Sequence, residues 1–149
     1  MVAFAQKLAA EKPDEIALRD SQRALSWAEL NDVLNRSANS LLAADLGPER
    51  RIAVFAENSV ETALAHMGGL LGGASSVPVN FHLTADEVAY ILEDSDTRIL
   101  FIGPETAERG IEAARQAGVE TVIAWRSEGL TGLTEWDEWL ASASNEEAP

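Results

Sequence analysis

Residues Arg51–Asn80 read RIAVFAENSVETALAHMGGLLGGASSVPVN, and the order of their parts decides the fold. Arg51–Ala56 is a short, almost wholly apolar run, which reads as a strand buried on both sides. Asn58-Ser59-Val60-Glu61 offers a helix cap, and a helix is expected to about Gly72. Ser75–Asn80 reads as a second strand. Two buried strands joined through a helix pair in parallel.

Working outward, the alternation continues in both directions. Thr84-Ala85-Asp86-Glu87 has the form of a capping box and predicts a helix to about Asp94. Arg98–Ile102 and Thr121–Trp125 read as strands, and between them Gly103-Pro104 opens a helix that ends near Gly118. Thr134-Glu135-Trp136-Asp137 is expected to cap a short last helix. Upstream, Ser26-Trp27-Ala28-Glu29 is a second capping box. It opens a helix to about Ala44, with Trp27, Leu30, Val33 or Leu34, Ala38, Leu41 and Leu42 recurring at helical spacing on one stripe. Ile16–Arg19 and Leu25–Trp27 form a hairpin around Asp20–Arg23. The fold class is α/β: a mainly parallel, doubly wound sheet with helices on both faces, preceded by a short β-hairpin. Residues 1–140 form one unit. Residues 141–149, small, polar and acidic, read as a linker.

Composition excludes several functions. The 149 residues carry 25 acidic and 11 basic side chains, a net charge of −14. Phosphate backbones demand a basic face, so no nucleic-acid partner is expected, nor a polybasic membrane contact. The absence of cysteine removes thiol nucleophiles, disulfides and cysteine-held metals. Both lysines, Lys7 and Lys12, lie in the first twelve residues. The chain start has no signal-peptide pattern and no run reaches the roughly 18–20 apolar residues of a membrane span, so the expected location is the cytoplasm.

Few motifs offer chemistry. Gly68 and Gly73 have the spacing of a phosphate loop, but Ala74 stands where its lysine would be. The cluster also follows a helix instead of opening one, so a packing role is expected. His66 sits mid-helix and reads as a packing residue. His82 lies in the loop Asn80-Phe81-His82-Leu83 beyond a strand's carboxyl end, where open α/β folds place ligands. No serine stands in a nucleophile elbow. The carboxylate pairs Glu93-Asp94, Asp137-Glu138 and Glu146-Glu147 read as solvated faces. Trp136 and Trp139 read as a docking face. Catalytic, cofactor-binding and metal-ligating residues are therefore assigned to no position in the chain.

Several segments together resemble a known family. Leu25-Ser26-Trp27-Ala28-Glu29-Leu30 is similar to the first motif of the adenylate-forming superfamily. Asn58–Glu61 with Leu70–Asn80 resembles the second motif, and Leu83–Ser95 with Arg98–Phe101 its continuation. Order and spacing are kept across nearly the whole chain. The family's amino-acid-activating members continue with Asp-Pro-x-Tyr-Pro. Asn80–Thr84 instead looks like the fatty-acyl and related CoA ligases, with His82 where these often carry arginine. The resemblance implies an N-terminal portion of an acyl-CoA synthetase. In that reaction a carboxylate attacks the α-phosphate of MgATP, pyrophosphate leaves, and the thiol of coenzyme A then displaces AMP. ATP, Mg, coenzyme A and a fatty or related acid would be bound by the rest of the parent enzyme, since no position here matches the family's phosphate loop or lysines. The piece alone is then expected to be inactive and, with surfaces uncovered, to self-associate. Asn80, Phe81 and His82 are the candidates for lining part of the acyl path. Two alternatives stand beside this: a free-standing binding module of the same fold, and a piece of an aryl-CoA or carrier-protein acylating ligase.

Overall fold

The alternation of buried runs and capped helices is realised in a computed structural model that describes residues 2–149. Helix α1 (Val2–Glu11) leads into the antiparallel hairpin β1 (Ile16–Arg19) and β2 (Ala24–Ser26), then α2 (Trp27–Ala43). There follow β3 (Arg51–Phe55), α3 (Val60–Leu71), β4 (Ser75–Val79), α4 (Ala85–Asp94), β5 (Ile99–Ile102), α5 (Ala107–Ala117), β6 (Thr121–Ala124), β7 (Thr134–Glu135) and α6 (Trp136–Ala141). The five later strands form one sheet in the order β4-β3-β5-β6-β7, every pairing parallel.

The two-residue period of the strands divides the core. Ile52, Val54, Phe101 and Ile123 pack on one face with Leu34 and Leu41 of α2 and Leu64 of α3. Ala53, Phe55, Leu100, Ile102 and Val122 pack on the other with Val88 and Leu92 of α4 and Ala113 and Ala114 of α5. Burial on both faces explains why these strands are continuous apolar runs. At the free edge, β4 carries an exposed Pro78 opposite Val54 of β3.

Both capping boxes form. Ser26 Oγ accepts from the Glu29 N–H and Thr84 Oγ1 from the Glu87 N–H, and each glutamate reaches back to its cap's N–H. Ser59 caps α3 through the Thr62 N–H. The expected cap at Thr134 does not form. Thr134 and Glu135 pair with Ile123 and Ala124 as β7, and Glu135 precedes α6 without a side-chain cap. The ladder to β6 takes the backbone that the cap would have used. Helix α5 also begins later than Gly103-Pro104, because these residues form a turn held by Thr106. Helix α1 was not expected from the sequence. Trp136 docks inward, edge-on to Phe101 and Trp125, with Trp139 against the same Phe101 ring.

Candidate functional site

In a doubly wound sheet, ligands gather beyond the carboxyl ends of the strands where the winding reverses. Here the chain passes from β3 outward to β4, then back to β5 on the other side of β3, so the reversal lies between β3 and β5. Side chains bridge that crevice. Thr106 Oγ1 donates to the Phe55 carbonyl and accepts from the Gly103 N–H at 3.2 Å. Glu105 Oε1 accepts from the Glu57 N–H at 2.8 Å. A cavity of about 370 Å³ remains above them, between the hairpin turn 20–22, the loop 57–59, Pro104, Glu105 and Arg126.

Two carboxylates latch the hairpin turn over this edge. Asp20 accepts from the N–H groups of Gln22, Arg23 and Val60 at 2.7–2.8 Å. These backbone donors hold its carboxyl below the usual range, the Val60 N–H contributing most. Glu61 is 3% exposed and lies between Arg23, at 3.4 Å, and Arg126, at 3.3 Å. The hairpin, α3 and the segment after β6 meet at this one side chain. Removing either arginine would leave a buried carboxylate with half its partners. Glu61 reads locally as a first-turn helix acid, and nothing near it in sequence announces partners 38 and 65 residues away.

The loop Asn80-Phe81-His82 stands at the carboxyl end of β4, outside the cavity just described. Asn80 Oδ1 accepts from the His82 N–H, and the Phe81 and His82 rings lie 4.1 Å apart. Asn80 and His82 are exposed and Phe81 is half-buried. Arg109 of α5 fixes the loop by donating to the Phe81 and Leu83 carbonyls, while its guanidinium lies 5.1 Å from the Phe55 ring centroid. A loop so tethered, with one half-covered aromatic and one exposed imidazole, can present an apolar wall and a hydrogen-bonding group together.

The glycine cluster does not fit a phosphate. A Cβ at Gly68 would lie 2.1 Å from Ser37 Oγ, at Gly69 2.5 Å from Ile52 Cδ1, and at Gly72 2.7 Å from Leu41 Cβ. The space beside these glycines is already filled by α2 and β3. His66 Nδ1 lies 2.6 Å from Ser76 Oγ, and burial holds its pKa below the ordinary histidine value. The three carboxylate pairs are exposed. Among the described residues no group of three or more histidine and carboxylate side chains could hold a metal. None of the helices described is long and apolar enough to cross a membrane.

The domain is thus a parallel, doubly wound sheet whose carboxyl edge is latched by Asp20 and Glu61. The AMP-binding enzyme family matches residues 5–148, and the chain belongs to that family of adenylate-forming enzymes. It is 39% identical over 88 residues to tyrocidine synthase 3 of Brevibacillus parabrevis, covering 59% of this chain and 1% of that protein. It is 36% identical over 116 residues to the fatty acid–[acyl-carrier-protein] ligase ScoC of Streptomyces coeruleorubidus, covering 78% of this chain and 22% of that protein. It is 35% identical over 125 residues to a 4-hydroxybenzoate–CoA/benzoate–CoA ligase of Rhodopseudomonas palustris, covering 83% and 23%. Among solved structures it is similar to the N-terminal domain of FACL13 from Mycobacterium tuberculosis, with a TM-score of 0.78 and 28% identity, covering 99% of this chain and 37% of that one. The chain thus spans well under half the length of each of these proteins.

Proposed function

We propose that this chain is the N-terminal scaffold of an acyl-CoA synthetase that activates a fatty or related carboxylic acid with MgATP and passes it to coenzyme A. Residues 1–140 are the supporting unit, and residues 141–149 lead toward the parts that bind the nucleotide. Asn80, Phe81 and His82 line a stretch of the acyl path, with Phe81 as the apolar wall and His82 at its rim. The observation that carries this reading is the filled glycine cluster. At Gly68, Gly69 and Gly72 of the one phosphate-loop-like cluster the space is occupied by Ser37, Ile52 and Leu41, which supports assigning nucleotide chemistry to residues outside this segment. The lysines offer no substitute, since Lys7 and Lys12 pair with Glu11 and Glu15 at the surface.

Carboxylate-dependent ATP–pyrophosphate exchange tests the reading. The 149-residue chain is expected to be silent, while the parent enzyme exchanges label with fatty acids. Exchange by the short chain alone would overturn it. A carrier protein as the acyl acceptor is the second reading, supported by the 36% identity to a fatty acid–[acyl-carrier-protein] ligase. It is separated by supplying the parent with coenzyme A or with a holo carrier protein. We also infer self-association of the isolated piece, supported by the exposed Phe4, Ile16, Leu70 and Tyr90.

A further inference from the structure

The polar side of α2 holds the last residues of the chain. Asp32, Asn35, Arg36 and Asn39 follow one another at helical spacing and form one stripe. Arg36 Nη1 donates to the Ala143 carbonyl at 2.8 Å. Asn39 Nδ2 donates to the carbonyls of Ser144 and Glu146, each at 2.9 Å. Asn35 Nδ2, on a residue only 7% exposed, donates to the Asn145 carbonyl at 3.1 Å. Four successive carbonyls are therefore satisfied by three side chains. In return Asn145 Nδ2 donates to Asp32 Oδ1 at 2.7 Å, and Asp32 Oδ2 holds the Arg36 guanidinium at 2.9 Å.

All but one of the contacts between stripe and tail read main chain and not side chain, so the stripe recognises the tail by its backbone carbonyls. The helix before the tail has need of it. Helix α6 is six residues long and lacks a side-chain cap, and so short a helix is marginal by itself. Yet it carries Trp136 and Trp139 onto Phe101.

We propose that the Asp32–Asn35–Arg36–Asn39 stripe is a backbone-docking site whose occupant is residues 143–147 of this chain. The docked segment is a strap that holds α6 on the sheet and fixes the direction in which the polypeptide leaves it. At the far end of the strap, Gln6 Nε2 of α1 donates to Glu147 Oε2 at 2.8 Å, which adds a second anchor. The strap itself is exposed at Ser144–Glu147, so it can be released without opening the core. This inference does not depend on the ligase reading.

Backbone ¹⁵N relaxation of the 149-residue chain tests it. Order parameters at residues 143–147 are expected near the rigid-backbone value of about 0.85, falling below about 0.6 in Asn39→Ala. Asn39→Asp, which sets a carboxylate against two carbonyls, should release the strap at least as fully. Both substitutions lie on a half-buried helix position outside the apolar stripe, and unchanged order in α3 and α5 reports an intact fold. A wild-type tail already below about 0.6, or a tail as rigid in both variants as in wild type, would overturn the proposal.

Discussion

The two faces of the sheet are packed by different means. Beneath α2 and α3, packing is so close that a Cβ at any of three positions of α3 and its cap would fall within 3 Å of a neighbouring side chain. Beneath α4 and α5, only Gly110 makes such an approach, its missing Cβ falling 2.6 Å from Ile102 Cγ2. The rest of that face is filled by small and branched side chains, among them Ala89, Ala113, Ala114, Val88 and Leu92. A cluster of glycines can therefore mark a crossing of helices as well as a ligand loop. What lies within a Cβ radius distinguishes the two.

Substitution of the close-approach glycines probes this contrast most strongly. Gly68→Ala must displace both Ser37 Oγ and its Cβ, at 2.1 and 2.7 Å, against a buried helix. It is expected to cost roughly 3 kcal/mol in urea unfolding, against roughly 1–2 for Gly110→Ala, where only a methyl of Ile102 lies within 3 Å and its Cβ stands clear at 3.5 Å. Equal costs would erase the distinction between the faces. Helix caps should ignore it. Ser26→Ala on the first face and Thr84→Ala on the second are each expected to lose about 1 kcal/mol. Thr134→Ala, whose side chain caps nothing, should lose clearly less in the same assay.

The smallest effect is a pH dependence confined to the α3 face. His66 is held neutral by burial, so the unfolded chain binds its proton more readily than the folded one. Its contribution is complete above the unfolded pKa of about 6.5 and is lost as pH falls below that value toward the lowered folded one. His66→Gln should flatten the stability profile below about pH 6.5 relative to wild type. A profile of identical slope in both proteins would remove His66 from the account.

Most of the architecture was legible because it is written locally. Strand runs at 51–56, 98–102 and 121–125, and capping boxes at Ser26 and Thr84, each declare themselves within a few residues. Helix α1 was missed because its stripe is weak: Ala5 is buried while Phe4 is 60% exposed. Strand β7 was missed because two residues carry no period, and the pairing with Ile123 and Ala124 overrode the cap pattern at Thr134. The latch at Glu61 and the strap along α2 were invisible for a different reason. Their partners lie dozens of residues away, and single arginines and asparagines have no local signature for a distant carboxylate or carbonyl. The loop at Asn80–His82 was located by its place after a strand. Its tether, Arg109, could be found only once α5 was folded against it.

The exposed Pro78 in β4 bears on how this molecule meets copies of itself. A growing cross-strand ladder needs a regular succession of amide donors along the margin it extends, and a prolyl nitrogen has none to give. Any partner strand laid along that margin would meet a missing rung in a run of only five residues. Association of this chain should accordingly proceed by side-chain burial, reversible and concentration-dependent, and not by the templated strand addition that seeds fibres.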